Sequence, residues 1–492
     1  MKSTDRLNKL LIVTGQLPVE LTQRGDQVDA ALHYDDLTVA VSAFLRSITT
    51  WDQPVFSSIA WAGTAPCDPI VWDSVKDRLP PAGHLWNPVF LPVRHRSTIS
   101  HGFANTVIWP LFHYFPSYVE FAPTAYENYV GMNSQFADSI CDMVGPGDTV
   151  WIHDYQLLPL AAQLRERIPD LSIGLFLHIS FPSFQIFRHL PGTWQEEILK
   201  GMLGADLIGF QTNEYAALFR NCVRLTFGAG GNGETIEFEN RLVKTGSFPV
   251  GIDFSRFDKA PEEVARTSET VAGFRSTFKD KQIVFSVDAL DYTKGIRHRI
   301  SAFEYFLRDN PGYLGKVILI LVIIPSREDL SRYAERKKLI DEAVTEMNGR
   351  FGTLEWQPLF YMFKSLDLEE LLTLYRLCDV ALLTPLRDAM NLYAKQFVAS
   401  RHAENGVLIL SELDGAADQL AEALAVNPND VPNIAHAILT ALEMPAAEQR
   451  TRMQAMRQTV RIHDIAAWGR AFLLALEGTR SGRKISQGRL FE

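Results

Sequence analysis

Polar and charged side chains follow directly on apolar runs at five places in this chain of 492 residues. The stretches are Trp151-Ile-His-Asp-Tyr-Gln-Leu-Leu-Pro159, Phe176-Leu-His-Ile-Ser-Phe-Pro182, Asp288-Ala-Leu-Asp-Tyr-Thr-Lys-Gly295, Pro325-Ser-Arg-Glu-Asp329 and Thr384-Pro-Leu-Arg-Asp-Ala-Met-Asn-Leu-Tyr-Ala-Lys-Gln396. In α/β proteins the carboxyl ends of strands are where chemistry is placed. Arg327 carries a fork of donors that suits phosphate oxygens, with a surface salt bridge as its alternative. Lys294 is either a ligand-binding cation or an exposed turn lysine. Asp154 is a ligand-binding carboxylate or a buried cap of the helix that follows, and the two roles can coexist. His178 alone would be a core histidine, but the adjoining Phe181-Pro182 turn favours function. Trp61 and Trp109 offer flat aromatic faces, and core packing accounts for either.

The runs ahead of these stretches are short and rich in β-branched residues, and longer amphipathic stretches separate them. That is the signature of βα units around parallel sheets. One series of strands is expected at 9–14, 55–61, 149–153, 173–178 and 206–210, and a second at 282–287, 317–324, 379–384 and 407–411. Helices are expected at 157–167, 332–347 and 368–377. The length exceeds the ~250–300 residues at which a single core stops growing, so the pattern predicts an α/β, doubly wound fold in two copies. Residues 1–250 would form one Rossmann-like domain and 251–461 a second, with the ligand crevice between them. Residues 462–478, with Trp468, would be a helix packing back on the body, and 479–492 a polar tail.

Composition narrows the classes further. With 47% hydrophobic and 22% charged residues, the chain suggests neither disorder nor membrane spanning. A net charge of −10 argues against nucleic-acid or anionic-membrane partners, so a phosphate-bearing substrate needs a local basic pocket. Cys67, Cys141, Cys222 and Cys378 have neither zinc-ligand nor disulfide-framework spacing. The apolar stretch near the N-terminus is too short for a signal-peptide core, and a cytoplasmic enzyme is expected.

In order and spacing the five stretches resemble the trehalose-6-phosphate synthase family of retaining glycosyltransferases. The resemblance runs from about Leu11 to about Leu476 and includes Leu17-Pro-Val19, Trp109-Pro-Leu-Phe-His-Tyr114, Gly209-Phe-Gln-Thr212 and Pro249-Val-Gly-Ile252. It implies a GT-B architecture of two Rossmann-like domains, the first for the acceptor and the second for the donor. It also implies transfer of glucose from UDP-glucose to glucose 6-phosphate without metal or cofactor. Lys294 matches the family's diphosphate-binding lysine, and the amides of Met390, Asn391 and Leu392 would add a helix N-terminus. Asp154 matches the acceptor-sugar aspartate, His178 the histidine beside the transferred glucose, and Asp388 the carboxylate on donor hydroxyls. Trp61 and Leu366 are placed at the donor, Trp109 at the acceptor and Arg327 at the acceptor phosphate. A homo-oligomer stays open.

Several positions depart from the family pattern. Gln16 stands where an arginine grips the acceptor phosphate, and Ser100 where a tyrosine touches it. Asp35-Asp36 aligns with a Gly-Gly turn, Ala289 replaces an arginine that works with Lys294, and Gln396 replaces a ribose-binding glutamate. Compensation would come from Arg297 at the anion that Lys294 meets, and from the cluster Arg94-His95-Arg96 at the acceptor phosphate. Two alternatives follow: a related transferase with another acceptor, such as glycerol phosphate or a cyclitol phosphate, and a catalytically silent paralogue that binds sugar phosphate or partners an active synthase as a regulatory subunit.

Overall fold

The computed structural model describes residues 8–24, 27–32, 36–48, 55–79, 83–92, 95, 98–99, 102–259, 273, 276–278, 280–326 and 331–488. It divides into two compact units, Met1–Val250 with Ile465–Glu492, and Gly251–Asp464.

The first unit is built on a nine-stranded sheet in the order Leu85–Val89, Ile59–Thr64, Leu10–Gln16, Thr149–His153, Ser172–Phe176, Leu207–Phe210, Arg241–Ser247, Thr235–Phe238, Gly231–Asn232. The first seven strands are parallel, and the last two complete an antiparallel edge. Numbered along the chain, the parallel strands lie in the order 3-2-1-4-5-6-7, so the winding reverses between Leu10–Gln16 and Thr149–His153. Crossovers cover both faces of such a sheet, which is why Leu10 to Val13 and Thr149 to His153 are buried throughout.

The helix Ile465–Gly488 belongs to this unit and packs on the sheet where the sequence leaves space for it. A Cβ on Gly174 would come within 2.6 Å of the Phe472 ring, and one on Gly209 within 2.7 Å. Phe472 stacks on Trp151 at 4.6 Å, and Trp468 lies 5.0 Å from Trp151. The helix extends to Gly488, through much of the stretch expected as a polar tail. Arg480 anchors it by donating to the carbonyl of Gly147 at 2.7 Å.

The second unit has a six-stranded, wholly parallel sheet in the order Leu359–Phe363, Val317–Ile324, Gln282–Ala289, Val380–Leu383, Val407–Ser411, Leu424–Val426. Along the chain this is 3-2-1-4-5-6, and the reversal falls between Gln282–Ala289 and Val380–Leu383.

Boundaries differ from expectation at several places. The strand expected at 55–61 is Ile59–Thr64, and the helix expected at 157–167 is a 3-10 turn, Tyr155–Leu157, followed by the helix Leu160–Arg167. Pro159 has no amide with which to join the two. The helix expected at 332–347 is Ser331–Phe351. No helix among the described residues is long and apolar enough to cross a membrane.

Candidate active site

In the first unit the strand Thr149–His153 ends at the winding reversal, and the next residue is Asp154. Its backbone sits at φ 77°, ψ 175°, a region costing about 1–3 kcal/mol for any residue but glycine. The surroundings over-determine it. Asp154 N donates to Phe176 O at 2.8 Å, Tyr129 OH to Tyr155 O at 2.8 Å, and Tyr155 OH to Asn105 Oδ1 at 2.7 Å. The Asp154 carboxylate makes no helix-cap hydrogen bond, which sets aside the capping alternative. It accepts instead from the backbone amide of His178 at 3.3 Å.

His178 follows the next strand, Ser172–Phe176. One hydrogen bond of 3.0 Å joins its Nε2 to Nδ1 of His153, and both rings are buried. Burial pushes His178 down to about 3. Burial, reinforced by His178, holds His153 well below its ordinary value. Both imidazoles are therefore neutral near pH 7, and one proton lies between them. Trp109 is half-buried after the five-residue π-turn Ala104–Ile108, with its ring 4.1 Å from His113 and 5.5 Å from Tyr155. Such turns mark functional segments more often than plain helix does.

Gln16 is exposed at the end of Leu10–Gln16, on the other side of the reversal. It lines a cleft of about 380 Å³ with Leu17, Pro18, Val19, Glu20 and Thr38. Trp61 is 0% exposed, stacked on Trp86 at 5.5 Å, with its indole N–H donated to Thr14 Oγ1 at 2.9 Å. No face of Trp61 is open to a sugar, and the donor contact expected of it gives way to core packing. Ser100, Arg327, Asp35 and the Asp36 side chain lie outside the described residues, as do Arg94 and Arg96.

In the second unit the strand Gln282–Ala289 leads into Asp291, which caps the turn Tyr292–Lys294 by accepting from Thr293 N at 2.9 Å. Gly295 lets the chain turn into the helix Ile296–Asp309. It lies at φ 65°, and a Cβ there would be 2.7 Å from Thr384 O. Thr293 O accepts from Leu386 N at 2.7 Å, which ties this turn to the loop carrying Asp388. Lys294 Nζ then donates to Asp388 Oδ2 at 2.5 Å and lies 3.8 Å from Asp288 Oδ1. Met390 N donates to Asp388 Oδ1 at 3.1 Å, and Asn391 caps the helix Leu392–Ser400. Tyr375 OH donates to Gln396 Oε1 at 3.3 Å, so the oxygen expected at a ribose already has a partner. Leu392 is buried, while Met390 and Leu366 are half-buried.

Four ionisable residues here have no role assigned from sequence, although Asp288 and Lys395 lie within the stretches singled out there. Arg299 is fully buried and pairs with Asp288 Oδ2 at 2.5 Å. Its signal was a charge on the apolar face of a helix, level with Ile296, Ile300 and Phe303. Arg297, the compensating cation expected from sequence, is exposed. Burial raises Asp288 despite the opposing charges of Arg299 and Lys294. Burial, reinforced by Asp388, raises Asp414 well above its ordinary value. Burial lowers Lys395 to about 8, against the pull of Asp414.

Two sheets of Rossmann-type strand order, one with Asp154 at its reversal and one with Lys294 and Asp388 at its own, place the chain in the two-domain α/β class to which the GT-B glycosyltransferases belong. The chain belongs to glycosyltransferase family 20, whose model matches residues 8–478. It is 39% identical over 485 residues to the bifunctional trehalose-6-phosphate synthase/phosphatase of Thermoproteus tenax, covering 97% of this chain and 64% of that protein. This chain therefore spans just under two thirds of that relative's length. To the 56 kDa subunit of the UDP-forming α,α-trehalose-phosphate synthase of Saccharomyces cerevisiae it is 33% identical, covering 96% and 94% of the two chains. A Burkholderia xenovorans UDP-forming α,α-trehalose-phosphate synthase, solved in complex with glucose-6-phosphate, superposes with a TM-score of 0.84 at 27% identity, covering 95% of this chain and 100% of that one.

Proposed function

We propose that the protein is a retaining glycosyltransferase that moves glucose from UDP-glucose to glucose 6-phosphate, releasing UDP and trehalose 6-phosphate. The bond from glucose C1 to the diphosphate oxygen breaks, and a bond from the acceptor's anomeric oxygen to C1 forms on the same face. The acceptor's hydroxyl proton passes to the departing diphosphate.

The observation that carries this reading is Lys294 at the winding reversal of the second sheet, held 2.5 Å from Asp388. A lysine there meets the charge that develops on a leaving diphosphate, and Asp388 beside it is placed for donor-sugar hydroxyls. The second unit is thus the donor domain. In the first unit, Asp154 accepts from acceptor hydroxyls, and His178 and Trp109 line the sugar. The relatives are named UDP-forming synthases, and one of them was solved with the proposed acceptor.

Purified protein incubated with UDP-glucose and glucose 6-phosphate is expected to release UDP and give an α,α-linked product by NMR. Absence of nucleotide release with any donor and acceptor pair sinks the proposal. Acceptor screening with glycerol phosphate and cyclitol phosphates at fixed donor tests the choice of acceptor. Turnover by the unmodified protein removes the silent-paralogue alternative that Gln16 and Ala289 motivate.

A further inference from the structure

Lys294 stands between two carboxylates, Asp388 at 2.5 Å and Asp288 at 3.8 Å. A lysine so placed is a poor anion receptor unless one carboxylate is neutralised by something else. At position 289, where the resemblance implies an arginine that works with the lysine, this chain has alanine.

Arg299 supplies what is missing from behind the turn. Its guanidinium, 0% exposed, donates to Ser286 Oγ at 2.7 Å, to Asp288 Oδ2 at 2.5 Å and to the main-chain carbonyl of Lys294 at 2.6 Å. The first two contacts grip the end of the strand Gln282–Ala289, and the third grips the turn itself. A planar fork can hold such a set, and the point charge of a lysine cannot. The geometry points to Arg299 as a positioning residue for the donor diphosphate. It neutralises Asp288, so that this carboxylate does not capture Lys294, and it fixes the Lys294 carbonyl so that the ammonium projects from a set backbone.

The diphosphate then displaces the short Asp388 contact. That exchange frees Asp388 for the donor sugar while the phosphates take the lysine. The inference rests on the reading of Lys294 as the diphosphate cation.

The test compares Arg299→Met with the double variant Asp288→Asn/Arg299→Met, by calorimetric titration with UDP and NMR titration with uridine. Arg299→Met leaves Asp288 free to take Lys294, and the UDP Kd is expected to rise about tenfold. The double variant removes the competing carboxylate and is expected to return to within about threefold of the unmodified protein. Uridine, which has no phosphate, is expected to bind all three proteins alike. A purely structural role for Arg299 would weaken uridine and UDP together and would give no rescue in the double variant. Either result overturns the inference, as does a UDP Kd within twofold in Arg299→Met. Where Arg299→Met does not fold, the pair Arg299→Gln and Asp288→Asn/Arg299→Gln answers the same question, because glutamine removes the charge while keeping a donor for Ser286 and the Lys294 carbonyl. Unmodified protein that fails to bind UDP defeats the donor reading itself; protein that binds UDP while its variants show no rescue defeats only the role of Arg299.

Discussion

The two units share a strand order, 3-2-1-4-5-6, and both set their candidate residues where that order reverses, yet the two reversals carry opposite chemistry. The first holds Asp154 and a buried, neutral His153–His178 pair, with Trp109 packed 5.5 Å from the Tyr155 ring that follows Asp154. In the second, Lys294, Arg299, Asp288 and Asp388 form a mostly buried ion-pair network, with Asp414 buried beside Asp388. The fold chooses the place, and the residues choose the ligand. Neutral polar groups and aromatic faces fit a sugar, whereas a cation held ready in a low-dielectric site fits a charge that grows during reaction.

The widest break in this contrast comes from removing the cation. Lys294→Met is expected to lower kcat/KM for UDP-glucose by about 10³, measured as UDP release. A loss below tenfold would mean that the second reversal does not hold the leaving group.

Next comes the strained aspartate. Asp154→Gly relieves the backbone cost and deletes the carboxylate, so turnover is expected to fall about 10²-fold while the melting temperature does not drop. A lower melting temperature with activity retained would reverse the assignment, making Asp154 structural.

The neutral histidines give the contrast a pH signature. His178 is held at about 3 in the folded protein against 6.5 when unfolded, and His153 is lowered as well. Between these values the unfolded chain binds more protons, so stability falls as pH drops from about 6.5 towards 3. The slope is at most about 1.4 kcal/mol per pH unit for each histidine. Urea unfolding at pH 7.5, 6 and 5 is expected to show this loss, and His178→Asn to reduce it. An unchanged slope in His178→Asn would mean that this ring is not buried in its neutral form.

The smallest effect belongs to Trp61. Trp61→Phe loses the hydrogen bond to Thr14 and some packing, so stability is expected to fall by about 1–2 kcal/mol. Both KM values are expected to stay unchanged, and a raised donor KM would return Trp61 to the sugar.

Legibility in the sequence followed burial. Parallel strands covered on both faces read as unbroken apolar runs, so 149–153, 317–324 and 407–411 were found with the boundaries the structure shows. The half-exposed edge strand Leu85–Val89 carries tryptophan, asparagine and proline, and the short Leu424–Val426 sits at the other sheet's edge. Neither has such a run, and neither was found. The hairpin Val19–Arg24 with Gln27–Leu32 was missed as well. At the site, Asp154, His178, Lys294 and Asp388 were readable because each follows a strand. Arg299 carries only the signal of a charge on the apolar face of its helix, and its partner is not readable, because Asp288 lies on a different element.

By itself the sequence determined the βα alternation, the two series of strands and the polar residues placed behind them. These are local consequences of side-chain type and spacing. Only the tertiary structure decided that Lys294 meets Asp388 across 94 residues, that Arg299 is buried against Asp288, and that Trp61 faces the core. Charge pairing and burial depend on which elements become neighbours, and chain packing sets that for residues far apart in sequence.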